Sequence, residues 1–163
     1  MIEEKIIYAL TGEVKIGTID EILKSSAIGS CVIIAAYDPK CQIAGMAHVM
    51  LAGKSPDNTK LPKTRYAVDA IDTLIELLHE HGSNTENLEI CLVGGANVLR
   101  RKNDKIAQNN INNIIDILEK RKLKITAKSV GGYERRTATL IVEKAELYYS
   151  IGSLHEKLLY KFN

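Results

Sequence analysis

Val32-Ile33-Ile34-Ala35-Ala36-Tyr37 is an apolar, largely β-branched run with no charge to interrupt it. A small-residue turn, Ala27-Ile28-Gly29-Ser30, delivers Cys31 onto its head. After Asp38-Pro39-Lys40 comes a second run, Gln42-Ile43-Ala44-Gly45-Met46-Ala47-His48-Val49-Met50-Leu51. Two such runs across a short turn predict adjacent strands. His48 on the second is the one histidine outside the expected helices and the tail. A cysteine and a histidine on neighbouring strands can come within hydrogen-bonding reach, the minimum apparatus for thiol-based covalent catalysis.

The remaining chain supplies the other layers. Lys5 to Leu10 and Glu13 to Thr18 read as short strands with Thr11-Gly12 as a turn, and Ile22 to Ser25 as an extended piece. Thr64 to Glu80 is a helix: Val68, Ile71, Ile75 and Leu78 recur at helical spacing, and His79, His81 and Gly82 suit its C-terminal end. Leu88 to Val93 is a buried strand running into Gly94-Gly95-Ala96-Asn97. Asp104 caps a second helix to about Arg121, with Ile111, Ile114, Ile115 and Leu118 inward. Lys124 to Ser129 is a strand, Arg136 to Glu143 and Leu147 to Ile151 a closing hairpin, and Leu154 to Phe162 a short mixed tail of helical character. Strands with two inserted helices make an α+β layered domain over residues 1–163.

Composition narrows the function. With 22 basic and 20 acidic residues the net charge is +2, and seven Tyr, one Phe and no Trp provide no stacking platform. Nothing here marks a nucleic-acid binder. The glycine pair after the Leu88–Val93 strand lacks the G-x-G-x-x-G or G-K-[ST] context of a phosphate loop, and reads as a tight turn. The cysteines at 31, 41 and 91 form no C-x-x-C pair, so neither zinc nor a disulfide framework is expected. No leader and no membrane-length apolar run is read, and the expected location is the cytoplasm. The loop Ala52–Lys63, following the histidine strand, is the expected substrate rim.

Cys31 is the expected nucleophile and His48 the base that protonates the leaving group and then activates water. The Gly29-Ser30 turn lets main chain approach a substrate, and its N–H groups can bind an oxyanion. A third polar residue should hold the imidazole tautomer; Ser25, Ser26 and Asn97 are candidates. Cys41, in a turn, and Cys91, inside a buried strand, read as structural.

These residues resemble the CheD family, chemoreceptor glutamine deamidases of chemotaxis. The resemblance runs through Ile28-Gly29-Ser30-Cys31-Val32, then Gly45-Met46-Ala47-His48-Val49-Met50-Leu51, seventeen residues separating cysteine from histidine. It continues with Arg65-Tyr66, Ala70, Gly94-Gly95-Ala96, Ile106, Asn110, Gly131-Gly132 and Arg136. It implies hydrolysis of receptor glutamine amides to glutamate and ammonia, and in some members of methyl esters. It implies Cys31 as nucleophile, His48 as base and Ser25, where the family commonly has threonine, as the residue orienting His48. It implies a layered α/β sandwich of stacked sheets with flanking helices, similar to the deamidating cytotoxic necrotising factor toxins. It also implies no cofactor, and a partner in CheC, a CheY phosphatase whose receptor-mimicking element occupies the deamidase site. The family's usual glycine two before Gly-Ser is here Ala27; other departures are Ala52, Val68, Ala107, Asn109 and Ser129-Val130. They motivate a second reading, a non-catalytic adaptor binding receptors and CheC, and a third, a thiol hydrolase of another protein amide or ester.

Overall fold

The first apolar run has no polar position because neither of its faces meets water. It forms β4 (Val32–Asp38), every residue of which is buried. Val32, Ile34 and Ala36 pack toward two helices, while Ile33, Ala35 and Tyr37 pack toward a second sheet. A strand buried on both faces reads as continuous hydrophobicity, not alternation.

The computed structural model describes residues 3–163. Two mixed five-stranded sheets are stacked within them. One runs β2 (Val14–Gly17), β5 (Ile43–Val49), β4, β6 (Glu89–Gly94), β7 (Lys124–Val130). The other runs β1 (Lys5–Tyr8), β3 (Glu21–Ile28), β8 (Arg136–Ile141), β9 (Glu146–Ile151), β10 (Lys157–Lys161). The β1–β3 and β6–β7 pairs are parallel and the others antiparallel. Both α1 (Ala67–Glu80) and α2 (Ile106–Lys120) cover the outer face of the β4 sheet. The α+β layering and the pairing of β4 with β5 agree with the sequence reading. No helix among the described residues is long and apolar enough to cross a membrane.

The buried stripe of α1 is Ala67, Ala70, Ile71, Leu74 and Leu78, rotated slightly from the expected one, so that Val68 and Ile75 lie at its margin. A separate 3-10 turn, Lys63–Arg65, precedes it. Asp104 caps α2 one residue before its formal N-cap: its carboxylate accepts from Ile106 N at 3.0 Å. The C-terminal tail is not helical. It forms β10, antiparallel to β9, with a register shift between Leu158 and Tyr160 that erases the alternation a strand would show in sequence. Phe162 follows it inward and stacks on Tyr37, ring centroids 5.0 Å apart.

Candidate active site

The site lies at one end of the seam between the two sheets. Ile33 pairs with His48 across β4 and β5. Cys31, two residues before Ile33, therefore faces the same side and stands diagonal to the histidine; such pairs lie roughly 7–8 Å apart. Both point into the inter-sheet layer, where half-buried Cys31 packs against the apolar cluster.

The other sheet supplies the support. Its β3 is bulged between Ser25 and Ile28, so Leu23, Ser25 and Ile28 are all buried despite the odd spacing. The bulge places Ala27 at φ 54°, in the left-handed region that glycine favours. Ser25, 2% exposed, meets His48, 5% exposed, across the seam. Ser25 Oγ lies 2.9 Å from His48 Nδ1 and donates to the Ala9 carbonyl at 2.7 Å. His48 Nδ1 is also 3.0 Å from that carbonyl. A carbonyl only accepts, so Nδ1 carries the proton and shares it between Ser25 Oγ and Ala9 O. Nε2 is then the basic nitrogen. The histidine backbone is held too: Gly12 N donates to His48 O at 2.8 Å, and His48 N to Glu13 O at 3.0 Å.

Of the three candidates for orienting His48, Ser25 alone does so. Ser26 is exposed. The Asn97 side chain is engaged with Arg101, donating to its carbonyl at 2.9 Å.

Burial pushes the Cys31 thiol above its ordinary range; the Arg65 guanidinium and the cysteine's own N–H partly offset this. Burial likewise lowers His48, with the Ala9 hydrogen bond and Glu13 opposing it. The resting pair is therefore thiol and neutral imidazole, in which His48 can take the proton as the sulfur attacks. Cys91 is pushed up to about 11 by burial and lies against Thr126 Oγ1. Cys41 is exposed, its thiol raised chiefly by burial and by Asp38.

The turn before Cys31 is cradled from below. Ala96 N donates to Gly29 O at 2.9 Å and Gly95 N to Cys31 O at 2.8 Å. Gly94 has φ 123°, and a Cβ there would collide with the Cys31 carbonyl oxygen. The glycine pair is thus a structural seat for the turn that carries Cys31. Arg136, buried in β8, braces it, donating to Gly131 O at 2.7 Å, Gly94 O at 3.4 Å and Ser129 Oγ at 3.0 Å.

Above the turn opens a cavity of about 310 Å³, lined among others by Gly29, Ser30, Cys31, Asn97, Val98 and Arg135. A Cβ at Gly29 would meet nothing nearer than Val98 Cγ2 at 3.5 Å, so the missing side chain leaves room in the cavity. The expected rim, Ala52–Lys63, does not line it. That loop is tied to the helices instead, through Gly53 N to Asn113 Oδ1 and Ser55 N to Asp69 Oδ2, both 2.8 Å. The residues that line the cavity on that side are Asn97, Val98, Leu99, Asp104 and Arg135. Its neighbourhood is basic: Arg100, Arg101, Lys102, Lys105 and Arg135 stand against Asp104 and Glu134, an excess larger than the +2 of the entire chain. Leu99, 66% exposed, is its apolar tip. Among the described residues, no group of three or more His, Cys, Asp and Glu is placed to hold a metal.

A family model described as CheD, chemotactic sensory transduction, matches residues 50–150. The chain is 38% identical over 156 residues to a protein of Chlorobium luteolum named probable chemoreceptor glutamine deamidase CheD, covering 96% of this chain and 78% of that one. It is 33% identical over 140 residues to the Bacillus subtilis chemoreceptor glutamine deamidase CheD, covering 83% and 84%. The hypothetical protein YfiH of Bacillus licheniformis overlaps 70% of this chain and 45% of its own at 14% identity and a TM-score of 0.39, too slight a likeness to bear on function.

Proposed function

Because this chain belongs to the CheD family of chemotactic sensory transduction, we propose that it hydrolyses the side-chain amides of chemoreceptor glutamines to glutamate and ammonia, with Cys31 as nucleophile and His48 as base. The observation that carries this is the placement of His48 Nδ1 within hydrogen-bonding distance of Ser25 Oγ and Ala9 O across the seam, on the same face as a half-buried thiol that lines a cavity.

In this reading the Cys31 sulfur attacks the carboxamide carbon as its proton passes to His48 Nε2. The carbonyl π pair moves onto oxygen, where N–H groups of the Ser30–Cys31 turn receive it. Collapse of the tetrahedral intermediate breaks the C–N bond, and the proton on Nε2 leaves with the amine as ammonia. The product is a thioester on Cys31. Water then gives a proton to His48 and attacks the same carbon, the C–S bond breaks, and the proton returns to sulfur. Glutamate departs and the thiol is regenerated. The chemistry asks for no cofactor. The same thioester route would hydrolyse a methyl ester, with methanol leaving in place of ammonia.

The cavity admits one side chain, so the receptor backbone must rest on the rim. The cations around segment 97–105 suit an acidic receptor surface, and Leu99 gives it one apolar contact. A CheC-type phosphatase is a proposed partner on the resemblance, competing with receptor for this cavity, and the cytoplasm is the proposed location. The test is mass spectrometry of receptor cytoplasmic helices after incubation with wild type and Cys31→Ala. Glutamine-to-glutamate conversion with wild type alone supports the proposal. Conversion by Cys31→Ala removes Cys31 as nucleophile, and binding without conversion by either leaves the adaptor.

A further inference from the structure

Three successive carbonyls of the nucleophile turn are pinned. Gly29 O is held by Ala96 N and Cys31 O by Gly95 N, both through main chain. The middle one, Ser30 O, is held by a side chain: Asn110 Nδ2 donates to it at 3.0 Å. A trans peptide is planar, with its C=O and N–H pointing in opposite directions. Fixing Ser30 O toward α2 therefore aims the Cys31 N–H away from it. Among the described residues, Cys31 N and Ser30 N donate to no other main-chain group, and both residues line the cavity.

Asn110 makes a second bond with the same amide nitrogen. Nδ2 donates to Met50 O, also at 3.0 Å. Met50 lies two residues beyond His48, where β5 ends. An amide nitrogen carries two hydrogens, and here one goes to the strand of the nucleophile and the other to the strand of the base. The residue is 1% exposed and sits on the stripe of α2 otherwise made of Ala107, Ile111, Ile114 and Leu118. A leucine would pack on that stripe more cheaply, but would leave the part-buried carbonyls of Ser30 and Met50 without this donor.

We infer that Asn110 is a positioning residue: from α2 it orients the Ser30–Cys31 peptide as an oxyanion donor. This rests on the deamidase reading above and adds to it a residue that touches neither substrate nor sulfur. Its signature is a loss confined to the step in which negative charge develops on oxygen. Alkylation of Cys31 by iodoacetamide needs the thiol and its base but no oxyanion donor.

The experiment compares wild type, Asn110→Ala and Asn110→Gln by ammonia release from receptor helices and by iodoacetamide alkylation of Cys31. Circular dichroism checks the fold, and Cys31→Ala is the blank. Removing an oxyanion donor outright costs about 100- to 1000-fold in kcat. Loosening one should cost Asn110→Ala on the order of 10- to 100-fold. KM and the alkylation rate should stay within about twofold of wild type, well under the energy of one hydrogen bond. If Asn110→Ala does not fold, Asn110→Gln decides: its amide is displaced by one methylene, and the same split between kcat and alkylation is expected. A folded variant with undiminished kcat overturns the inference, and so does a fall in alkylation parallel to that in kcat, which would mark general collapse of the site. Failure of wild type to release ammonia is a different result, one that removes the deamidase reading and this inference with it.

Discussion

Ser25 and His48 belong to different sheets and meet across the seam, Oγ to Nδ1 at 2.9 Å. The contact makes the site a product of sheet stacking: β5 carries the imidazole, β3 the hydroxyl that meets it, and the loop before β4 the thiol.

Ser25→Ala removes one of the two acceptors of Nδ1–H and leaves the Ala9 carbonyl as the other. One neutral hydrogen bond is worth about 1 kcal/mol, so kcat should fall about fivefold. Ser25→Thr keeps the hydroxyl and restricts its rotamer, and should match or exceed wild type. Steady-state ammonia release from receptor helices measures both.

Burial holds the His48 pKa below that of a free imidazole, about 6.5. The base is therefore neutral at pH 7, and kcat/KM should stay flat as pH falls past 6.5, then drop at more acidic values. Stability follows the same sign. Between the lowered folded pKa and about 6.5 the unfolded chain binds more protons, so the contribution is complete above 6.5 and is lost as pH falls through that window. Urea midpoints of wild type and His48→Gln from pH 7 to 5 test this: the wild-type midpoint should fall more steeply.

Ala27 sits at φ 54° in the β3 bulge. A left-handed L-residue costs about 1–2 kcal/mol, and a glycine there relieves it at some cost in unfolded-state entropy. Ala27→Gly should raise the stability by up to about 1 kcal/mol, read as a higher urea midpoint with an unchanged slope. An unchanged or lower midpoint would mean that the bulge is not strained.

Gly29→Ala should fold, since its Cβ meets only Val98 at 3.5 Å. The methyl group projects into space beside the cavity, where the substrate amide must enter. KM for receptor should rise about 5- to 10-fold with Cys31 alkylation retained, the lower end of the roughly 1–3 kcal/mol that an extra methyl costs in a packed pocket. Equal KM for both proteins would exclude Gly29 from the substrate path.

Arg101, Lys102 and Lys105 flank the mouth and are exposed. If they steer an acidic receptor segment, Arg101→Glu combined with Lys102→Glu should raise KM by about tenfold at low salt, and the difference should shrink as salt screens it. The kcat should not change. Equal salt dependence in variant and wild type would place receptor docking elsewhere.

Much of the fold was legible where the signal was local. The apolar run of β4, the turn at Asp38-Pro39-Lys40 and the periodicity of α1 and α2 depend on residues near one another in sequence. The β10 strand was not, because its register shift destroys the alternation on which a strand is recognised. The loop Ala52–Lys63, expected as the rim, does not line the cavity at Cys31 for a related reason: it has the composition of a free loop, yet Asn113, sixty residues from Gly53, and Asp69 in the first turn of α1 tie it down.

From the residues alone came the thiol, the imidazole, their adjacent strands and a short set of candidates for the third member. The resemblance narrowed that set to Ser25. Only tertiary structure decided that the Ala9 carbonyl meets the imidazole, that Gly94 and Gly95 seat the turn that carries Cys31, and that Asn110 bonds the carbonyls of both Ser30 and Met50. The reason is physical. Residue type and period encode which face of an element is buried, but a hydrogen bond between groups eighty residues apart exists only once sheets and helices have packed and their bulges have set where each side chain points.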